Sequence, residues 1–128
     1  MWVAMIEAET LSAALESYFS KQNANEELAV IPEIIRYRIS AEKSEAFLAD
    51  YAQAATALKQ SPHAQGFELM RSSKDPELFL LVIRWDSADG HMKGFRSSPQ
   101  FKEFFAHIRP YVSDILEMEH YEYTAVRG

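Results

Sequence analysis

The four histidines are the side chains of this sequence best suited to acid–base chemistry, because an imidazole titrates near neutral pH. His91 is the first catalytic candidate, since it follows an apolar run that ends at Trp85. In the short helical segment that follows this strand, it could take a proton from a bound acid. The alternative is that His91 only hydrogen-bonds the loop between a strand and a helix.

Tyr37 is the second catalytic candidate. It lies in a run of β-branched and aromatic residues, where successive side chains point to opposite faces of a strand. Ile35 and Ile39 share its face, whereas Arg36 and Arg38 lie on the other. We therefore predict that Tyr37 faces an apolar pocket beneath the helices.

Several apolar and aromatic side chains could line a cavity for a flat aromatic ligand, although such residues more often form core. Trp85 could form a wall of this cavity and donate its indole N–H to a ligand oxygen, or it could be a core aromatic at the rim. The other predicted ligand-binding residues are Phe67, Leu69, Met92, Phe95, Phe101, Phe105 and His107.

No cofactor is expected from the sequence. It has no cysteine and no closely spaced histidine pair, so no metal site is predicted. Its four glycines, Gly66, Gly90, Gly94 and Gly128, are too scattered for a phosphate-binding loop, which disfavours a nucleotide or flavin site.

The charge balance disfavours two classes of partner. The chain has 128 residues, with 13 Lys+Arg against 19 Asp+Glu and a net charge of −6. Without a basic cluster, neither nucleic acid nor an anionic membrane is an expected partner. The longest apolar run, residues 78–83, is far shorter than the roughly 20 residues of a membrane-spanning helix. The N-terminus does not resemble a signal peptide, and the lack of cysteine is compatible with a cytoplasmic protein.

The periodicity predicts alternating strands and helices. Strands are expected at residues 34–39, 65–71, 78–85 and 116–126, and helices at 41–59 and 98–110, with a short helical segment at 86–95. Ser98 followed by Pro99 is a favoured helix start. This order predicts an α+β fold of the ferredoxin-like βαββαβ type, an antiparallel sheet with its helices on one face.

The uncovered face of this sheet predicts a homodimer. The strand at 78–85 is apolar on both sides, so a second copy would cover the face that the helices leave exposed. Arg36 or Arg38 inside such an interface would need partners, and Glu117 or Glu119 could supply them. Residues 1–31 are interpreted as an arm with a helix at 10–21 and a polar linker, ahead of a domain at 32–128.

The segment from Trp85 to Phe101, Trp-x-Ser-x-x-x-His-x-x-x-Phe-Arg-x-Ser-x-x-Phe, and the closing His120-Tyr121-Glu122 resemble the antibiotic biosynthesis monooxygenase (ABM) domain family. The resemblance extends over roughly residues 34–126. It implies a dimeric α+β barrel with a pocket in each subunit between the sheet and its helices.

The resemblance also implies several activities. Some members are similar to cofactor-free oxygenases that convert phenols or quinols to quinones, and others bind and degrade haem. The haem-degrading branch uses an asparagine, a tryptophan and a histidine where this sequence has Tyr37, Phe95 and Phe105.

We therefore expect a cofactor-independent monooxygenase that takes a small aromatic molecule and O₂, with His91 receiving the phenolic proton. One alternative is a non-catalytic dimeric module that binds haem or another flat hydrophobic ligand. Another is an interaction protein that acts through the arm.

Overall fold

The computed structural model describes residues 30–128, which form a four-stranded antiparallel sheet packed against two helices. The elements are β1 (Ile31–Arg38), α1 (Ser44–Lys59), β2 (Ala64–Arg71), β3 (Leu78–Trp85), α2 (Pro99–Ile108) and β4 (Ile115–His120). Short 3-10 helices, Ala41–Lys43 and Arg109–Asp114, precede α1 and follow α2, and a π-helix, Gly90–Phe95, lies between β3 and α2. The predicted helix at 10–21 lies outside the described residues.

The strand order in the sheet is β2–β3–β1–β4, with every neighbouring pair antiparallel. The two helices each connect strands that are not neighbours, α1 from β1 to β2 and α2 from β3 to β4. This is the ferredoxin-like βαββαβ arrangement, and it confirms the predicted fold class.

The central strands β1 and β3 direct alternate side chains into one core beneath the helices. In β3 the residues Phe79, Leu81, Ile83 and Trp85 are buried, whereas those between them are half-buried on the opposite face. Both faces of β3 were expected to be covered, and residues 30–128 cover only the helix face. The opposite face is called the open face below, and its apolar residues include Ile34, Met70, Leu78, Leu80 and Val82.

The helices form where an apolar stripe faces this core. In α1 the buried residues are Phe47, Tyr51, Ala54, Ala57 and Leu58, spaced three or four apart along one side. At the start of α2 the Ser98 hydroxyl accepts a hydrogen bond from the Phe101 N–H, and Pro99 takes the first helical position. The predicted start of α2 is therefore confirmed.

The outer strand bounds differ from those predicted. β1 begins at Ile31 rather than at residue 34, because its first three residues pair with β3. β4 ends at His120 rather than at residue 126. His120 already pairs with Glu33 near the start of β1, and the next amide, of Tyr121, donates to the Pro32 carbonyl at 2.8 Å, so little of β1 remains to pair with.

Among residues 30–128, no helix is both long enough and apolar enough to cross a membrane.

Candidate active site

A cavity of about 150 Å³ lies between the helix face of the sheet and the segment that contains the π-helix and α2. We call it the aromatic cavity, because most of its wall is formed by rings and aliphatic side chains. Its apolar lining residues are Ile35, Tyr37, Ile83, Trp85, Phe95, Phe101, Phe104, Phe105, Ile108, Val112, Ile115 and Met118. A dry cavity of about this volume holds a single benzene ring. The space therefore suits a one-ring aromatic molecule.

Three polar side chains meet beside the aromatic cavity, and we call Glu33, His91 and His120 the polar cluster. Glu33 and His91 line the cavity itself, as does Arg96. Nδ1 of His91 lies 2.7 Å from Nε2 of His120, so one imidazole N–H donates to the other ring. Nε2 of His91 lies 3.6 Å from Oε1 of Glu33. Glu33 and His91 are each only 3% exposed. The cluster therefore combines a base, its hydrogen-bond partner and a carboxylate within an apolar site.

Trp85 holds two members of the polar cluster in place. Its indole N–H donates to Oε1 of Glu33 at 3.0 Å, and its ring stacks on the His91 ring with centroids 4.2 Å apart and planes 9° from parallel. The indole N–H is thus already paired with Glu33 in this structure. Trp85 is both a wall of the cavity and the support for its polar groups.

Burial governs the ionisation of these groups. It lowers the pKa of His91 from 6.5 to about 3, with the neighbouring His120 and Arg96 adding to the effect. Burial also raises the pKa of Glu33, although the hydrogen bond from Trp85 opposes the rise. An apolar environment disfavours the charged form of either group. His91 is therefore a neutral imidazole near neutral pH, which is the form that accepts a proton.

Tyr37 lies on the floor of the aromatic cavity as a hydrogen-bonding group. Its hydroxyl is 2.5 Å from the hydroxyl of Tyr51 on α1. Burial raises the pKa of Tyr37 to about 12, so the phenol keeps its proton. Between two paired hydroxyls one proton forms the pair and the other can be donated elsewhere. Tyr37 is thus suited to donate a hydrogen bond to a bound anion and not to act as a base.

The structure brings most of the predicted site residues together. His91, Tyr37, Trp85, Phe95, Phe101 and Phe105 all line the aromatic cavity.

Four other predicted residues lie elsewhere. Phe67 and Leu69 are on the edge strand β2 and line a second cavity of about 250 Å³ against α1. Met92 is 48% exposed, because the π-helix turns His91 and Phe95 inward and Met92 outward. His107 is on α2 but lines neither of these two cavities.

The polar cluster contains two residues that were not predicted as part of the site. Glu33 was missed because the first strand was expected to begin one residue after it. Its alternation with Ile31, Ile35 and Tyr37 is the sequence signal that places it on the buried face. His120 entered the sequence analysis only as part of the closing His120-Tyr121-Glu122 of the family resemblance. Only the pairing of β1 with β4, which sets Glu33 opposite His120, brings it to the site.

The antibiotic biosynthesis monooxygenase family matches residues 31–107, more than half of the chain. This chain belongs to that family. The match runs from β1 through most of α2 and includes Glu33 and His91, whereas His120 on β4 lies beyond it. No sequence among curated proteins matches the chain.

Solved structures of candidate antibiotic biosynthesis monooxygenases and of a conserved protein share the fold. A candidate antibiotic biosynthesis monooxygenase from Bordetella bronchiseptica is 26% identical, with a TM-score of 0.65 over 74% of this chain and 97% of the other. One from Chloroflexus aurantiacus is 20% identical, with a TM-score of 0.60 over 77% and 97%. A conserved protein from Methanosarcina mazei is 15% identical, with a TM-score of 0.67 over 79% and 99%. The last two likenesses concern the fold alone.

Proposed function

We propose that this ABM-family protein is a cofactor-independent monooxygenase that oxidises a one-ring phenol or quinol with O₂. The observation that carries the proposal is the position of His91, a buried imidazole backed by Glu33 and His120 in the wall of a cavity otherwise lined with rings. The family supports a monooxygenase, and the cavity supports the size of the substrate.

The proposed first step is removal of the phenolic proton by His91. The imidazolium formed would lie 3.6 Å from the Glu33 carboxylate, which would stabilise its positive charge. The Tyr37 hydroxyl, on the floor of the same cavity, would donate a hydrogen bond to the substrate oxyanion. The protein thus supplies proton transfer and orientation within a largely apolar site.

The oxidation itself needs only the substrate anion and O₂. The phenolate passes an electron to O₂, and the two radicals combine at a ring carbon. One oxygen atom remains as the new quinone oxygen. The other leaves as water, with one hydrogen from the phenol and one from the ring. Phenol plus O₂ thus gives benzoquinone plus water, and hydroquinone plus O₂ gives hydroxybenzoquinone plus water. Neither reaction requires an external reductant.

The proposal is tested by incubating chelator-treated protein with phenol or hydroquinone under ¹⁸O₂. We expect one ¹⁸O atom per quinone formed from phenol. Replacement of His91 by glutamine should lower kcat/KM by about 100-fold or more, because general-base catalysis is lost. His107→Gln is the matched control, since His107 is a histidine outside the aromatic cavity. Turnover unaffected by His91→Gln would contradict the assigned base.

A binding function without chemistry is the second candidate, and the volume of the aromatic cavity favours a small ligand over haem. A site of about 150 Å³ is too small for a four-pyrrole macrocycle. This candidate predicts saturable binding of phenol by calorimetry with no O₂ consumption. The same titration with haem should give no Soret shift attributable to the aromatic cavity.

We also propose that the protein is a cytoplasmic homodimer. The half-buried apolar residues of the open face, Ile34, Leu80 and Val82, support association of two copies through their sheets.

A further inference from the structure

The polar cluster has the composition of a metal site as well as that of a proton-accepting site. Glu33 comes from β1, His91 from the π-helix and His120 from β4, and their candidate ligand atoms all lie within 4.8 Å of one another. Glu33 and His120 are opposite each other in the β1–β4 pairing, so the sheet itself fixes two of the three. The site therefore requires the folded chain.

Two imidazole nitrogens and one carboxylate oxygen are ligands that Zn²⁺ and similar first-row divalent ions accept, with a further position left open. Zn–N bonds of about 2.0–2.1 Å with tetrahedral angles place two nitrogens about 3.3 Å apart. The ring nitrogens of His91 and His120 are 2.7 Å apart. The rings would therefore separate by about 0.6 Å. His120 is half-buried at the last position of β4, where such a shift is feasible.

Trp85 orients two of the candidate ligands. Oε1 of Glu33 lies 3.6 Å from Nε2 of His91, whereas His120 contacts Nδ1, so the carboxylate must turn toward Nδ1 to share one ion with both imidazoles. The Trp85 N–H orients the Glu33 carboxylate at 3.0 Å, and the Trp85 ring fixes the plane of His91 by stacking. Partners of this kind orient metal ligands in proteins generally. The Arg96 side chain lines the same cavity, and its positive charge disfavours binding of a cation.

We propose that Glu33, His91 and His120 bind a first-row divalent transition-metal ion such as Zn²⁺, which takes the place of the proton shared between the two imidazoles. The bound ion would occupy a nitrogen of the proton-accepting pair. Zn²⁺ would therefore inhibit the oxidation, a consequence that rests on the proposed function. The proposal that the ion binds to these three residues does not depend on the proposed function.

The test uses tag-free, chelator-treated protein titrated with Co²⁺, followed by visible absorption, and with Zn²⁺, followed by calorimetry. We expect one ion per chain and the intense absorption of four- or five-coordinate Co²⁺. Glu33→Gln and His120→Gln should each weaken binding by about tenfold or more, and Arg96→Gln should strengthen it. His63→Gln is the control, because His63 pairs with Asp86 outside the cluster.

Two results would overturn the proposal: no saturable binding to the wild-type chain, or binding unchanged in His120→Gln. The wild-type titration needs no variant to fold. Activity measured with chelator and with excess Zn²⁺ separates the two proposals. Turnover in the presence of chelator, together with no Zn²⁺ binding, would contradict only the proposal of a metal site. Two results would contradict only the proposal of a cofactor-independent oxidation. One is Zn²⁺ binding with no turnover in chelator, and the other is turnover that requires Zn²⁺.

Discussion

The ionisation state of His91 is determined by its surroundings more than by the ordinary pKa of an imidazole. It stacks on Trp85, contacts Phe95 and hydrogen-bonds His120, and it is almost wholly removed from solvent. A charged imidazole in this position would lose its hydration, and the neighbouring His120 and Arg96 disfavour its charge further. The neutral form is the one that the folded chain selects.

Because the folded chain favours neutral His91, we predict that the free energy of unfolding decreases in acid. The pKa of His91 is about 3 when folded against 6.5 as the ordinary value. Between these pH values the unfolded chain binds a proton that the folded chain does not, so the free energy of unfolding decreases as the pH falls. The loss attributable to His91 should be on the order of a few kcal/mol.

Urea denaturation of chelator-treated protein at pH 7, 5.5 and 4.5 measures this dependence. His91→Gln should show a shallower decrease than the wild type. The raised pKa of Glu33 acts in the opposite direction, because a proton taken up by the folded chain stabilises it in acid. The lowered pKa of His120 acts in the same direction as that of His91. Both neighbours are present in the two proteins, so the difference between the curves reports His91 together with its coupling to Glu33 and His120. Parallel curves for the two proteins would show that His91 does not titrate differently on folding.

Some of the individual residues of the site could be predicted from the sequence. Trp85, His91 and the phenylalanines that follow lie in one continuous segment, so their spacing alone indicated that they act together. His120 is 29 residues from His91 along the chain, and no local pattern links them. Contacts made by strand pairing are visible only once the register is known.

The π-helix, Gly90–Phe95, is the element that turns His91 and Phe95 into the aromatic cavity. Such wide turns occur often at functional sites. Two of its residues are glycines that leave room for the pair formed by His63 and Asp86, whose Nδ1 and Oδ2 atoms are 3.0 Å apart. A Cβ atom on Gly94 would overlap the His63 ring, and one on Gly90 would overlap the Asp86 carboxylate.

Gly94→Ala should therefore destabilise the fold by about 1–3 kcal/mol, the usual cost of overpacking. The clash displaces the His63 ring from Asp86 or moves the π-helix, so we also expect weaker phenol binding. Chemical denaturation and calorimetry measure the two effects.

Gly128→Ala is the matched control, because a Cβ atom there meets nothing within 4 Å. The double variant His63→Ala with Gly94→Ala removes the clashing ring and should recover part of the lost stability. Additive effects in the double variant would mean that the ring is not the obstacle.

Element order was predictable from the sequence, and element ends were not. The spacing of apolar residues placed α1 and β3 correctly. The helix α1 buries a stripe of residues three or four apart, and the strand β3 buries every second residue. The ends of β1 and β4 depend on where the partner strand stops, which is a property of the sheet. The π-helix was predicted only as a short helical segment, since its wider turn leaves no distinct spacing in six residues.

Across the whole molecule, one face of the sheet is left uncovered by residues 30–128. On the open face, apolar Ile34, Leu80 and Val82 lie between two ion pairs. Arg36 bonds Glu117 at 2.9 Å on one side, and Arg84 bonds Glu68 at 2.7 Å on the other. The partner expected for Arg36 is thus confirmed within the chain. Because these charges are paired, the face can be buried without isolating them.

Val82→Lys should weaken self-association through this face by about 100-fold or more, because it places an unpaired charge within the apolar strip. Sedimentation velocity over a range of protein concentrations measures the effect. Met92→Lys is the matched control, since Met92 is an exposed methionine on the helix side of the chain. A wild-type chain that stays monomeric at every concentration, or a Val82→Lys dimer as tight as the wild type, would exclude this face.

The position of Trp85 also gives the protein an optical reporter of its own. The sequence has two tryptophans, and Trp85 is the one whose indole stacks on His91 in the wall of the aromatic cavity. An excited indole is quenched by a protonated imidazole, and its emission shifts when its surroundings gain or lose water. With Trp2 changed to phenylalanine, fluorescence would follow filling of the cavity and the charge of His91 in real time, without any added label.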